Sequence, residues 1–207
     1  MTRPIDSVRF TETMRGYLAR FDGQTHEVAD AAGKAAGTEA YFILTVITPD
    51  VAAMIDDPEH RSPAYGCLVY PALCPEPLRV TTGHLDLFVD AAPHVAHMRY
   101  GLNLQTPSGE RYFLHGVKEI VRQSFFPSTL RDTTTLFVDL YSGDAPVGTP
   151  VHRGILRMGP VGLTAQGLSF RGDGRWFGLR AIALLAAYYI GRVSTIYLGP
   201  RAKPLRS

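Results

Sequence analysis

Charge is scarce in this chain. Asp, Glu, Lys and Arg make up 19% of its 207 residues, and 21 basic against 19 acidic side chains leave a net charge of +2. So near a balance gives no long-range field to gather nucleic acid, and the one basic run is the short tail Arg201-Ala-Lys-Pro-Leu-Arg206, so no nucleic-acid partner is expected. Cysteine is scarcer still. Cys67 and Cys74 sit seven apart in one apolar segment, with no Cys/His spacing of zinc type, and the expectation is two buried free thiols in a reducing cytoplasm. The first ten residues, MTRPIDSVRF, lack the apolar run of a secretion signal. The apolar run at 181–191 is 11 residues long between Arg180 and Arg192, short of the about 20 that span a bilayer. It reads as a packed helix.

Several catalytic signatures are missing as well. There is no G-x-S-x-G elbow, no P-loop and no G-x-G-x-x-G, so neither a serine-hydrolase nucleophile nor a phosphate cradle is expected, and no cofactor is assigned. Of the seven histidines, His94-x-x-His97 would place its rings on opposite faces of a strand, which is wrong for one metal. His84-x-Asp86 shares a face, but such a pair arises easily by chance, and no metal is expected. Internal repeats and low-complexity tracts are absent.

What is present is alternation. Short runs of period two, bounded by Gly, Pro and Asp, predict strands over 9–18, 40–47, 64–73, 78–89, 94–105, 111–121, 133–141 and 151–158, with 162–170 as a candidate ninth. With no βαβ units between them, the runs predict a mainly β fold: an antiparallel β-barrel of about eight strands, lipocalin-like or calycin-like. Two helices are expected. One lies near 49–57, with Thr48 as N-cap and Pro49 at the first helical position. The other begins near 174 and, being apolar all round, should be covered on most sides. The Gly/Ala-rich stretch 30–38 reads as a mobile loop. The domain division is 1–173 for the barrel and 174–207 for the helix and its basic tail.

Alternation also sorts side chains by face. Leu85, Leu87 and Val89 share one side of their strand, and His84, Asp86 and Phe88 the other. Ala96, Met98, Tyr100, Leu102 and Leu104 form an apolar face opposite His97, Arg99, Asn103 and Gln105, with His97 and Arg99 read as solvated. The strand 111–121 is less tidy. Phe113, His115, Val117, Glu119 and Val121 oppose Tyr112, Leu114, Gly116, Lys118 and Ile120, so a charged group must lie near apolar surface and needs a partner. Glu12 for Lys118, or Arg131 for Glu119, would meet that need. Arg131 and Asp132 read as an ion pair fixing the loop 123–130, or as contacts for a ligand's polar end.

The segments Phe10-Thr-Glu-Thr-Met-Arg-Gly-Tyr17, Gly116-Val-Lys-Glu119 and Arg131-Asp-Thr-Thr-Thr-Leu-Phe137 resemble a region of bacterial cholesterol-oxidase-like glucose–methanol–choline oxidoreductases that lies outside their flavin core. The likeness spans most of 8–158. With no dinucleotide fingerprint and too short a chain for a flavin domain, flavin chemistry is not carried over, and no catalytic residue transfers. The resemblance implies a detached accessory module working near steroid, terpenoid or other lipid-like substrates.

Together these readings point to a barrel binding an apolar small molecule such as a steroid, terpenoid, polyketide or lipid, acting on it as an isomerase or cyclase. The rival is a non-catalytic accessory module of a larger oxidoreductase or hydrolase. Glu12, His115, Lys118 and Glu119 are the candidate catalytic groups, and Tyr17, His84, Tyr100, Arg131, Asp132 and Tyr141 the candidate ligand contacts. A homodimer or partner enzyme would dock through the C-terminal helix. The same helix, flanked by Arg175, Arg180 and Arg192, would serve a peripheral membrane contact.

Overall fold

The computed structural model describes residues 7–92, 95–121, 134–172 and 177–198. Its strands are β1 (Val8–Arg20), β2 (Glu39–Thr48), β3 (Arg61–Tyr70), β4 (Cys74–Ala92), β5 (Val95–Gln105), β6 (Arg111–Val121), β7 (Thr135–Ser142) and β8 (His152–Arg157). Each pairs antiparallel with the next, and β8 returns to β1 with Arg15 opposite Arg157 and Arg20 opposite His152. The result is a closed eight-stranded antiparallel β-barrel, as the alternation predicts. Closure demands close approach at the β1–β8 seam, where a Cβ on Gly16 or Gly154 would overlap the facing carbonyl of Ile155 or Tyr17. Only glycine fits there.

The interior face follows the period-two pattern. Met14, Leu18, Phe42, Leu44, Leu68, Tyr100, Leu102, Leu114, Val138 and Leu140 are fully buried. The end holding Leu18 and Tyr70 is closed by packing: the Tyr70 hydroxyl donates to the Leu18 carbonyl at 3.2 Å, and its ring meets His152 edge-on. Most of the cylinder is therefore filled by its own side chains. The exception lies at the opposite end, beneath two helices.

Among the described residues four helices decorate the barrel: α1 (His26–Ala36), α2 (Val51–Asp56), α3 (Pro160–Ser169) and α4 (Phe177–Leu198), with a two-residue strand β9 (Arg171–Gly172) paired to Val8 and Arg9. Two of these correct the sequence reading. The stretch expected as a mobile loop is the body of α1, with Thr25 as N-cap and Gly37 in the left-handed region at φ 70 as its stop. Its glycines misled: Gly33 is there because α1 presses on the Leu18 carbonyl, while the alanines favour helix. The candidate ninth strand over 162–170 is α3. β8 pairs β1 only over Arg15–Arg20, and α3 lies along the part of β1 beyond it, where the Thr11 amide donates to Ser169 Oγ at 2.8 Å in place of a strand partner.

Smaller corrections follow the same logic. Thr48 ends β2 and hydrogen-bonds Ser62 inside the barrel, while Asp50 caps α2 by accepting from the Ala52 and Ala53 amides at 3.0 Å. In β4 a bulge breaks the alternation. Phe88, at φ 53, leaves the side shared with His84 and Asp86 and is buried against Tyr188 and Tyr189 of α4. The two thiols are unpaired, but half-buried rather than buried. Arg99 is not simply solvated: with Arg61 it holds the buried carboxylate of Asp86. Nor is α4 covered on most sides, since Leu179 and Ile190 are each 65% exposed.

Candidate functional site

The end of the barrel that side chains do not fill carries a cavity of about 420 Å³. Phe10 and Glu12 of β1, Leu85 and Leu87 of β4, Met98 of β5 and Lys118 of β6 form its floor and walls. Leu163 and Gln166 of α3, with Ile182, Leu185 and Tyr189 of α4, roof it. The size is within the range of small-molecule sites, and the lining is apolar but for one cluster.

That cluster is the pair sought from the sequence. Lys118 Nζ lies 3.5 Å from Glu12 Oε2, with side-chain exposures of 3% and 1%. β1 and β6 are not neighbours but stand three places apart around the wall, so the pair spans the interior. Gln166 Nε2 donates to the same Glu12 oxygen at 3.3 Å, tying the α3 roof to the floor. Glu12 Oε1 and the Tyr100 hydroxyl make no hydrogen bond of ordinary geometry, but the two groups are close enough for the carboxylate to act on the phenol. Tyr100 lies just below, with Lys118 Nζ 5.1 Å from its ring centre. Complete burial, and then the nearby Glu12 carboxylate, push its phenol well above the ordinary range, so it stays protonated at any physiological pH.

Such a cluster is energetically exacting. Desolvating two charges offsets most of their attraction, so the pair adds little net stability, while removing one partner typically costs about 3–5 kcal/mol. Chemically, the ammonium can polarise a carbonyl or hydroxyl, the free carboxylate oxygen can accept a proton or hydrogen bond, and the phenol can donate.

The other predicted residues lie elsewhere. His115 sits on the outer wall opposite Asp139, which Arg153 grips at 2.6 and 3.2 Å, and burial lowers the His115 pKa. His84 is also outward, its ring laid over Gly101, where burial and then Arg61 lower its pKa. Tyr17 and Tyr141 occupy the outward positions of β1 and β7, and Glu119 is exposed. Of the predicted residues that are described, Glu12 and Lys118 line the cavity, and Tyr100 packs against Lys118 behind them. Arg131 and Asp132, and with them the proposed pairing of Glu119, lie outside the described residues. Among the described residues no group of three His, Cys, Asp or Glu side chains is placed to hold a metal ion. Sequence reasoning missed Gln166 and the α3 roof, because that segment alternates like a strand.

Compared with protein-family models, curated proteins and solved structures, the chain shows no match.

Proposed function

We propose that the barrel binds an apolar small molecule, steroid, terpenoid, polyketide or lipid-like, in the cavity beneath α3 and α4. One observation carries this reading: an apolar space of about 420 Å³ whose only charged groups, among the described residues, are a buried ion pair at its floor. Apolar residues would hold the fold as well as Glu12 and Lys118 do, so two charges kept in this place support a use for them. The greasy part of the ligand lies against Phe10, Leu85, Leu87 and Met98, and its one polar group meets Lys118 and Glu12. With the ligand seated over them, the same groups suit isomerisation or cyclisation: Lys118 polarises an oxygen, Glu12 moves a proton, and the walls hold the skeleton in a reactive shape. The unpaired thiols Cys67 and Cys74 support a reducing, cytoplasmic setting.

The test is displacement of an apolar fluorescent dye, together with native mass spectrometry for a co-purified compound. Ala186→Trp, at an exposed position of the cavity lining, should block uptake without unfolding the barrel. Wild type and variant that both ignore the dye would refute the reading. A second reading, the non-catalytic accessory module of a larger enzyme, draws support from how much of the cylinder is filled by Phe42, Tyr70, Tyr100 and their neighbours. A dye site that survives Ala186→Trp, with no compound co-purifying, would favour it.

A further inference from the structure

The outer face of α4 has no cover. Ala181, Leu185 and Ile196 turn inward and are buried, and the Tyr188 hydroxyl donates to the Leu87 carbonyl at 3.2 Å. Leu179, Ala183, Ala186 and Ile190 recur at helical spacing on another side, and all four are exposed. The stretch Gly178–Ile196 is long and apolar enough to cross a membrane, and only 17% of it is buried. Next to it, α3 exposes Val161 at 82% and Leu168 at 72%. A water-facing helix normally shows a polar outer side, whereas between Arg180 and Thr195 the exposed positions here are Ala183, Ala186, Ala187, Tyr189, Ile190 and Gly191.

Charge marks the same region. Residues 160–207 hold seven basic side chains and one acid, a net +6, whereas residues 1–159 hold 14 basic and 18 acidic, a net −4. The near-neutral total hides two stretches of opposite sign, and the described part of the second, 160–172 and 177–198, carries Arg171, Arg180 and Arg192 and no acid. The cavity, too, reaches the surface on this side, since Gly167, Ala186 and Ile190 both line it and are exposed.

We propose that α3 and α4 dock the barrel onto an anionic lipid bilayer, with the exposed leucines and isoleucine in the interface and the basic C-terminal region drawn to the headgroups. The inner side of α4 is committed to the barrel through Ala181, Leu185 and Tyr188, so the helix lies in the membrane surface rather than crossing it. Positive charge favours lipid over a neutral apolar partner, and a second copy would bring +6 against +6. Docking stands independently of the ligand reading; that an apolar guest passes straight from bilayer to cavity rests on it.

The experiment is co-sedimentation of the full chain with vesicles of phosphatidylcholine alone and of phosphatidylcholine mixed with phosphatidylglycerol, at low and high salt. Binding is expected to the anionic vesicles and to weaken as salt screens the headgroups. Leu168→Glu and Leu179→Glu lie outside the cavity lining. Each should weaken binding about tenfold, the worth of returning one buried aliphatic side chain to water. Dye uptake by the cavity should be unchanged in both, which separates failure of docking from failure of the ligand reading. Equal binding to neutral vesicles would overturn the proposal. So would no vesicle binding, whether light scattering then shows a dimer that the Glu variants dissolve, a stable complex with another protein, or a monomer.

Discussion

Replacing Lys118 by Met removes the ammonium and leaves the Glu12 carboxylate, 1% exposed, with Gln166 as its one hydrogen-bond donor. Methionine fills nearly the same space, so the change tests charge rather than packing. Stranding one member of a buried pair costs about 3–5 kcal/mol. In a chain of this length each kcal/mol moves the thermal midpoint by about 2–4 °C, so a fall of about 6–20 °C is expected. The double variant Glu12→Leu with Lys118→Met removes both charges and should recover most of that loss. Urea unfolding of wild type, Lys118→Met, Glu12→Leu and the double variant gives the coupling directly, and an unchanged slope would show that the denatured state is not responsible. If Lys118→Met alone unfolds within about 1 kcal/mol of wild type, the pair is not the dry, coupled unit described, and the assignment of the cavity floor to it fails.

Tyr100→Phe removes a buried hydroxyl that interacts with the Glu12 carboxylate, so chemical unfolding should show a loss of about 1–3 kcal/mol, whereas no change would show that the two groups do not interact. Gly154→Ala drives a methyl group into the Tyr17 carbonyl at the barrel seam; hydrogen exchange should show β1 and β8 losing protection first. Gly37→Ala forces alanine to φ 70 at the end of α1 and should cost about 1 kcal/mol in urea, without altering dye uptake at the far end. Burial raises the phenols of Tyr70 and Tyr188 from 10.0 to about 12. A folded pKa above the unfolded one means that their contribution is complete below pH 10 and is lost as pH climbs from there through about 12, which urea midpoints across that window will show.

Local pattern settled much of this protein. A side-chain period of two needs no knowledge of neighbours, so the number of strands, their order as hairpins and the apolar face of β5 follow from the chain alone. The partner for Lys118 was legible too, because a cation among Leu114, Gly116 and Ile120 demands a carboxylate, and β1 offers Glu12 on an apolar face. Tertiary structure decided the rest. The short β8 leaves part of β1 without a strand partner, and the alternating segment after it covers that part as the helix α3, which puts Gln166 on Glu12. The outer wall is itself covered, by α1 over Asp139 and Arg153 and by the Arg61–Asp86–Arg99 cluster, so burial on both faces hid which way His84, His115 and Tyr141 point. Whether the cylinder is hollow was also beyond pattern. It depends on how far side chains from opposite strands reach across, a distance fixed only when the last strand meets the first.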